Sequence, residues 1–354
     1  QSSFTGNFGA GNLTINGDVG TTAATVTGRD IGGTGTINLS TLETDSDLSD
    51  ISNPMIISGD QSNFTGNFGS GVTTVNGSLG TTAAKVTGRN IGGSGSLQIK
   101  DVGDSAHDFS GVNISGSVTL KVPATTSLHA DTNLTPTGAS TKTILLLNDT
   151  DDVGLTAKAS QVHEFTILEN SSSNLGSLTI TDVGSSAVDI SNVNITGPLL
   201  LNVPSTVTLD ANTNLAPAVS STKTILLENN VGLTAKGSQV HEFTVLENSS
   251  SYPASLDITD VGSSALDISN VNISGPVLLN VPSTVTLDAN TNLTPTGPST
   301  KTILLANNVS LTAKGSQVHE FTVQENSSSD PGALTITDVG SSYLNVSNVN
   351  ISGT

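Results

Sequence analysis

The chain has 354 residues, no cysteine, no tryptophan and 3% aromatics, and 30 acidic against 11 basic side chains leave a formal net charge of −19. This excludes a basic surface for nucleic acid or an anionic membrane, and the missing cysteines exclude disulfides, thiolate nucleophiles and Cys-ligated metals. No stretch approaches the roughly 20 apolar residues needed to cross a bilayer, so membrane insertion is not expected.

Val, Ile and Leu remain plentiful among Ser, Thr, Asn and 36 Gly, which suits short strands and polar turns. Repeats run from the first residue. Residues 1–36 return as residues 61–96, and ITDVGSS recurs with its aspartate at Asp182, Asp260 and Asp338, Asp101 being a weaker copy. Each copy closes on NISG or a variant of it, at Gly59, Gly116, Gly197, Gly275 and Gly353. Cutting there gives modules 1–59, 60–116, 117–197, 198–275 and 276–354, read as one continuous rod. Gln1-Ser2-Ser3-Phe4 carries neither initiator Met nor signal segment, so a secreted, extracellular or cell-surface chain is expected. Asn-x-Ser/Thr sequons, among them Asn113, Asn194, Asn272 and Asn350, permit glycosylation.

Module lengths choose the architecture. Tandem immunoglobulin-like sandwiches are the alternative, but the short and long modules differ by about 20 residues, which would cost a sandwich two or three strands. A solenoid loses one coil instead. The predicted fold is all-β, a parallel β-solenoid of about 20 residues per coil and 17 or 18 coils. Leu209, Leu227, Leu246 and Leu266, 18 to 20 residues apart, are expected to stack in one column.

One residue beyond that column stand Glu169, Asp189, Asp210, Glu228, Glu247, Asp267 and Asp288. On one line about 5 Å apart they would repel by about 1 kcal/mol per pair, raising one another's pKa or holding cations such as Ca²⁺. The plain reading is a row of solvated turns. Asp210-Ala-Asn212-Thr-Asn214 and Asp288-Ala-Asn290-Thr-Asn292 open like a calcium loop but lack its glycine and its closing glutamate. His163, His241 and His319 recur beside Glu164, Glu242 and Glu320 in QVHEFT, one copy per module, as a patterned structural position does. The largest departure from the repeat, residues 145–154 with Asp149, Asp151 and Asp152, carries no catalytic motif. Neither an enzyme nor an organic cofactor is expected.

The Gly/Asn/Thr-rich, cysteine-free coil resembles the repetitive β-solenoid regions of filamentous-haemagglutinin-type adhesins and other microbial surface fibres, well over residues 117–353 and loosely over 1–116. No functional residue carries over from it. Gln1 matches Gln61, which follows ISGD, while the last residues repeat the closing phrase. The expected role is a structural subunit of an extracellular filament or surface layer, polymerising with itself head to tail. Gln1, Ser2, Ser3 and Phe4 would meet Val349, Asn350, Ile351, Ser352, Gly353 and Thr354 of the next copy. An adhesive stalk binding cell-surface glycans is the alternative.

Overall fold

The computed structural model describes residues 12–353 except 18, 43, 59–60, 62–63, 220–221, 299 and 340–345. The chain is all-β, with parallel coils stacked as a β-solenoid of about 11 turns about 23 residues apart. It divides into two compact units, Gln1–Leu178 with Asn192–Thr196, and Thr179–Ser191 with Gly197–Thr354.

In the first unit the short modules form the tighter coils. Ile37, Met55, Thr73, Ile91 and Val112 are direct register partners in turn and all are buried. The adjoining sheet starts with the same 18-residue step, Ser78 under Ser96. Glycine makes coils this small possible. Gly93 has φ +121° and an added Cβ would lie 2.2 Å from the Val75 carbonyl oxygen, so only glycine fits. From Ser117–Val122 the coils lengthen, with Val118 over Leu97 on one side and Lys142 on the other.

In the second unit a seven-stranded sheet runs Val207–Thr208, Gly232–Ala235, Ser255–Ile258, Val277–Val281, Lys301–Leu305, Thr322–Glu325, Val349–Asn350, all parallel. Strand alternation explains its core. Val277, Leu279 and Val281 point in and are at most 1% exposed, while Leu278 and Asn280 point out. Single turns of helix, such as Gly237–Val240 and Gly315–Val318, round one corner.

The parallel solenoid of the sequence reading is the observed fold, but the expected leucine column is corrected. Coil-to-coil steps vary from 18 residues, as from Ile37 to Met55, through 20, as from Leu226 to Leu246, to 26, as from Leu246 to Asn272, so a series of fixed 18- to 20-residue steps drifts out of register. Leu209, Leu227, Leu246 and Leu266 therefore share no column. Leu227 pairs with Glu247, Leu246 pairs with Leu226 and Asn272, and Leu209 follows Val207–Thr208 in another sheet. The module is also not a whole number of turns. Leu199–Val203 and Val277–Val281, the same phrase one module apart, lie in different sheets. The seven-stranded sheet takes three strands from module 198–275 and four from module 276–354.

Candidate functional site: the braces between coils

The most regular polar feature is a buried glutamine. Gln161, Gln239 and Gln317 occupy the first position of QVHEFT at 3 to 5% exposure. Each turns its Oε1 to the backbone N–H of the lysine three residues earlier, closing its own helical turn at 2.8–2.9 Å. Each Nε2 donates to two carbonyls on a neighbouring coil: His129 and Thr132, Asp210 and Thr213, Asp288 and Thr291. Three polar groups are satisfied by one amide, which is what a buried Gln requires.

A second brace uses carboxylates. Glu169 accepts from the Gly176 amide at 3.0 Å, the Thr196 amide at 2.9 Å and the Thr196 hydroxyl at 3.1 Å. Glu325 repeats this with the Gly332 amide at 3.1 Å, the Ser352 amide at 3.0 Å and the Ser352 hydroxyl at 2.7 Å. Glu247 binds the Ala254 amide at 3.1 Å together with the Ser274 hydroxyl and amide. The hydroxyl and amide of Ser352 hold Glu325 below the usual carboxylate range. Burial pushes Glu247 up, but the bonds from Ser274 and Ala254 outweigh it and leave it lowered as well.

A third brace is ionic. Lys142 pairs with Glu164 and Lys301 with Glu320 in close contact, and Lys223 with Glu242 at 3.5 Å. The hydrogen bond from Lys142 lowers Glu164, and that from Lys301 lowers Glu320. The histidines sit at the edge of these pairs. His241 accepts the Asp267 amide at Nδ1, and His319 Nε2 lies 3.6 Å from Glu320.

The seven carboxylates expected in one row occupy three different kinds of place. Glu169 and Glu247 stand in register with Leu146 and Leu227 and belong to the second brace. Glu228 lies one residue past the strand that ends at Leu227 and accepts from Asn248 at 2.9 Å. Asp189 and Asp267 pair with Asn214 and Asn292 and accept the Ser191 and Ser269 amides in Asx turns. Asp210 and Asp288 accept the Asn212 and Asn290 amides, both at 2.7 Å, so the calcium-like openings are Asx turns too. Among the described residues no group of three or more His, Asp or Glu could hold a metal ion. Where a shift is resolved within this row, at Glu247, it runs opposite to mutual repulsion.

The departure at residues 145–154 is a packed turn. Asn148, 0% exposed, donates to the Ser171 and Asn174 carbonyls and accepts the Ser171 amide. Asp149 accepts from the Asn170 side chain and Asp152 from the Leu175 amide, each at 2.7 Å. A cleft of about 440 Å³ lies against Ser238, His241, Asp260 and Leu266, but Asp260 is bonded to the Gly237 amide and His241 Nδ1 to the Asp267 amide.

Of the residues expected at a polymer contact, Gln1, Ser2, Ser3, Phe4 and Thr354 lie outside the described residues. Val349 and Asn350 pair with Val323 and Gln324, Ile351 is half-buried, Ser352 is held by Glu325, and a Cβ on Gly353 would lie 2.0 Å from the Gly332 carbonyl oxygen. Gln161, Gln239, Gln317, Thr196, Ser274 and Ser352 were not singled out by sequence reasoning. Their signal was there, as an invariant Gln in QVHEFT and a hydroxyl residue in NI-Ser/Thr-Gly. No family model, curated protein or solved structure matches the chain.

Proposed function

We propose that the chain is a structural, non-enzymatic subunit of an extracellular filament or surface layer that associates with itself head to tail through its open β ends. One observation carries this reading. The recurring polar side chains, Gln239 with Asp210 and Thr213, Glu247 with Ser274, Lys301 with Glu320, are spent joining one coil to the next. Such a stack uses the same bonds at every step, so the contacts that join coil to coil within the chain are also the kind that would join one copy to another. The net charge of −19 suits a protein that must stay dispersed until its ends meet.

Electron microscopy and sedimentation of the purified chain test the proposal. Linear assemblies of constant width that lengthen with protein concentration are expected. Monodisperse monomers up to millimolar concentration would overturn it.

A further inference from the structure

The corner that ends each single turn of helix is built in two ways. At Thr27-Gly28 and Thr87-Gly88 the threonines have ψ +130° and +124°, and the glycines have φ +64° and +65°. Each glycine amide donates to a carbonyl of the following coil, Asp47 at 2.8 Å and Asp108 at 3.0 Å. In the long modules His-Glu stands in place of Thr-Gly, and the corners diverge. His163 and His319 stay in the helical region, both with ψ −21°. His241 keeps the other form. Its ψ is +130°, Glu242 has φ +64°, and the Glu242 amide donates to the Asp267 carbonyl at 3.3 Å. Among the described residues every other positive φ belongs to glycine or asparagine, so Glu242 is strained and must be held there.

The imidazole holds it. The Asp267 amide donates to His241 Nδ1 at 3.0 Å, so that nitrogen is bare and the neutral ring carries its proton on Nε2. At His319 the same nitrogen faces the Ser316 carbonyl at 3.1 Å and must carry the proton. The lysine contact changes with the peptide. Lys142 with Glu164 and Lys301 with Glu320 are in close contact, whereas Lys223 stands 3.5 Å from Glu242. One form is tied to the following coil and the other tightens on the preceding one.

We infer that the His–Glu peptide of QVHEFT is a two-state latch between coils, set at 241–242 and released at 163–164 and 319–320, and that protonation of the histidine releases it. An imidazolium bears N–H on both nitrogens. In the set form its Nδ1–H would meet the Asp267 N–H, donor against donor. In the released form it donates to the carbonyl three residues back. The charged groups around His241 are Glu242, with Oε1 3.7 Å from Nε2, Lys223 on the preceding coil, and Asp260 and Asp267 on the following one. The carboxylates attract a proton in either form, so the neighbour of Nδ1 sets the direction. The latch belongs to the single chain and does not depend on self-association.

The test is amide hydrogen exchange in the full chain by NMR at about pH 7.5 and about pH 5, compared as protection factors. Protection of the Glu242 and Asp267 amides should fall at least tenfold at the lower pH, while Ile225 and Val245 in the adjoining strands stay within twofold. At the higher pH the ring nitrogen spectrum of His241 should place the proton on Nε2. His241→Asn keeps an acceptor oxygen near the Nδ1 position but does not titrate, so both amides should stay protected throughout. Glu242→Gly relieves the strain as Gly28 and Gly88 do, and should lose less protection than the parent. Unchanged protection in the parent, an equal fall in His241→Asn, or a proton on Nδ1 at the higher pH would overturn the inference. A fall that includes Ile225 and Val245 would be opening of the whole stack and would overturn it as well.

Discussion

The Glu325 carboxylate takes both the amide and the hydroxyl of Ser352, at 3.0 and 2.7 Å across 27 residues of chain. The same geometry joins Glu169 to Thr196. A side chain that looks in the sequence like part of an acidic strip is an acceptor for coil-to-coil donors. This fixes the sign of its contribution to stability. Carboxylates that accept amides are stabilised as anions, whereas a bare row of them would be destabilised.

Acid should therefore weaken the fold. Glu164, Glu247, Glu320 and Glu325 are all held below the ordinary value, so between folded and unfolded pKa the unfolded chain binds more protons. Their contribution is fully present above about pH 4.3 and is lost as pH falls through the lowered values. Asp257, pushed up by burial, acts in the opposite sense. Thermal melts from pH 6 to pH 2.5 should show falling midpoints below about pH 4.3, and Glu247→Gln should flatten that slope. A midpoint that rises on acidification would mean that repulsion dominates.

Gln239→Ala should cost about 2–4 kcal/mol in denaturant unfolding, because the Asp210 and Thr213 carbonyls and the Lys236 amide lose their partner in a buried site. Gln239→Glu should be worse at pH 7 than at pH 4. The carboxylate would face two carbonyl oxygens, so its folded pKa is raised, and stability returns as pH falls and the acid regains a donor.

Gly275→Ala places a Cβ 1.9 Å from the Ala254 carbonyl oxygen, a contact no rotamer relieves. Adjacent coils must separate, with a loss of several kcal/mol, on the order of 3 or more. Gly184→Ala, whose nearest neighbour would be 3.8 Å away, is the control and should stay within about 1 kcal/mol of the parent by circular dichroism melts.

Asn148→Ala removes donors from the Ser171 and Asn174 carbonyls and an acceptor from the Ser171 amide. A loss of about 1–3 kcal/mol is expected. Hydrogen exchange should rise chiefly at residues 148–153 and 171–175 and stay unchanged at Ile144 and Ile167 in the adjoining strands.

Millimolar Ca²⁺ should shift the melting midpoint by less than about 1 °C at pH 7, because Asp210 and Asp288 already hold the amides of their own turns. A stabilisation that saturates with calcium would show that these turns open to admit an ion.

The parallel solenoid was legible in the sequence because strand alternation and module arithmetic are local and survive in one dimension. Val277, Leu279 and Val281 announce an inward face by their spacing alone, and the loss of about 20 residues from a module is compatible with stacked coils but not with closed sandwiches. The closing glycines were legible as well, although the reason for them, a carbonyl 1.9 Å from the Cβ at Gly275, was not. Which residues lie over one another was decided by the tertiary structure. Register depends on how many residues each corner consumes, and the corners at Gly237–Val240 and at Asn148 differ in ways that only their buried hydrogen bonds determine. One residue of slip puts Glu247 beside Leu227 instead of Glu228. That slip is the difference between a row of repelling carboxylates and a set of braces, and the sequence alone carries no energy term that distinguishes them.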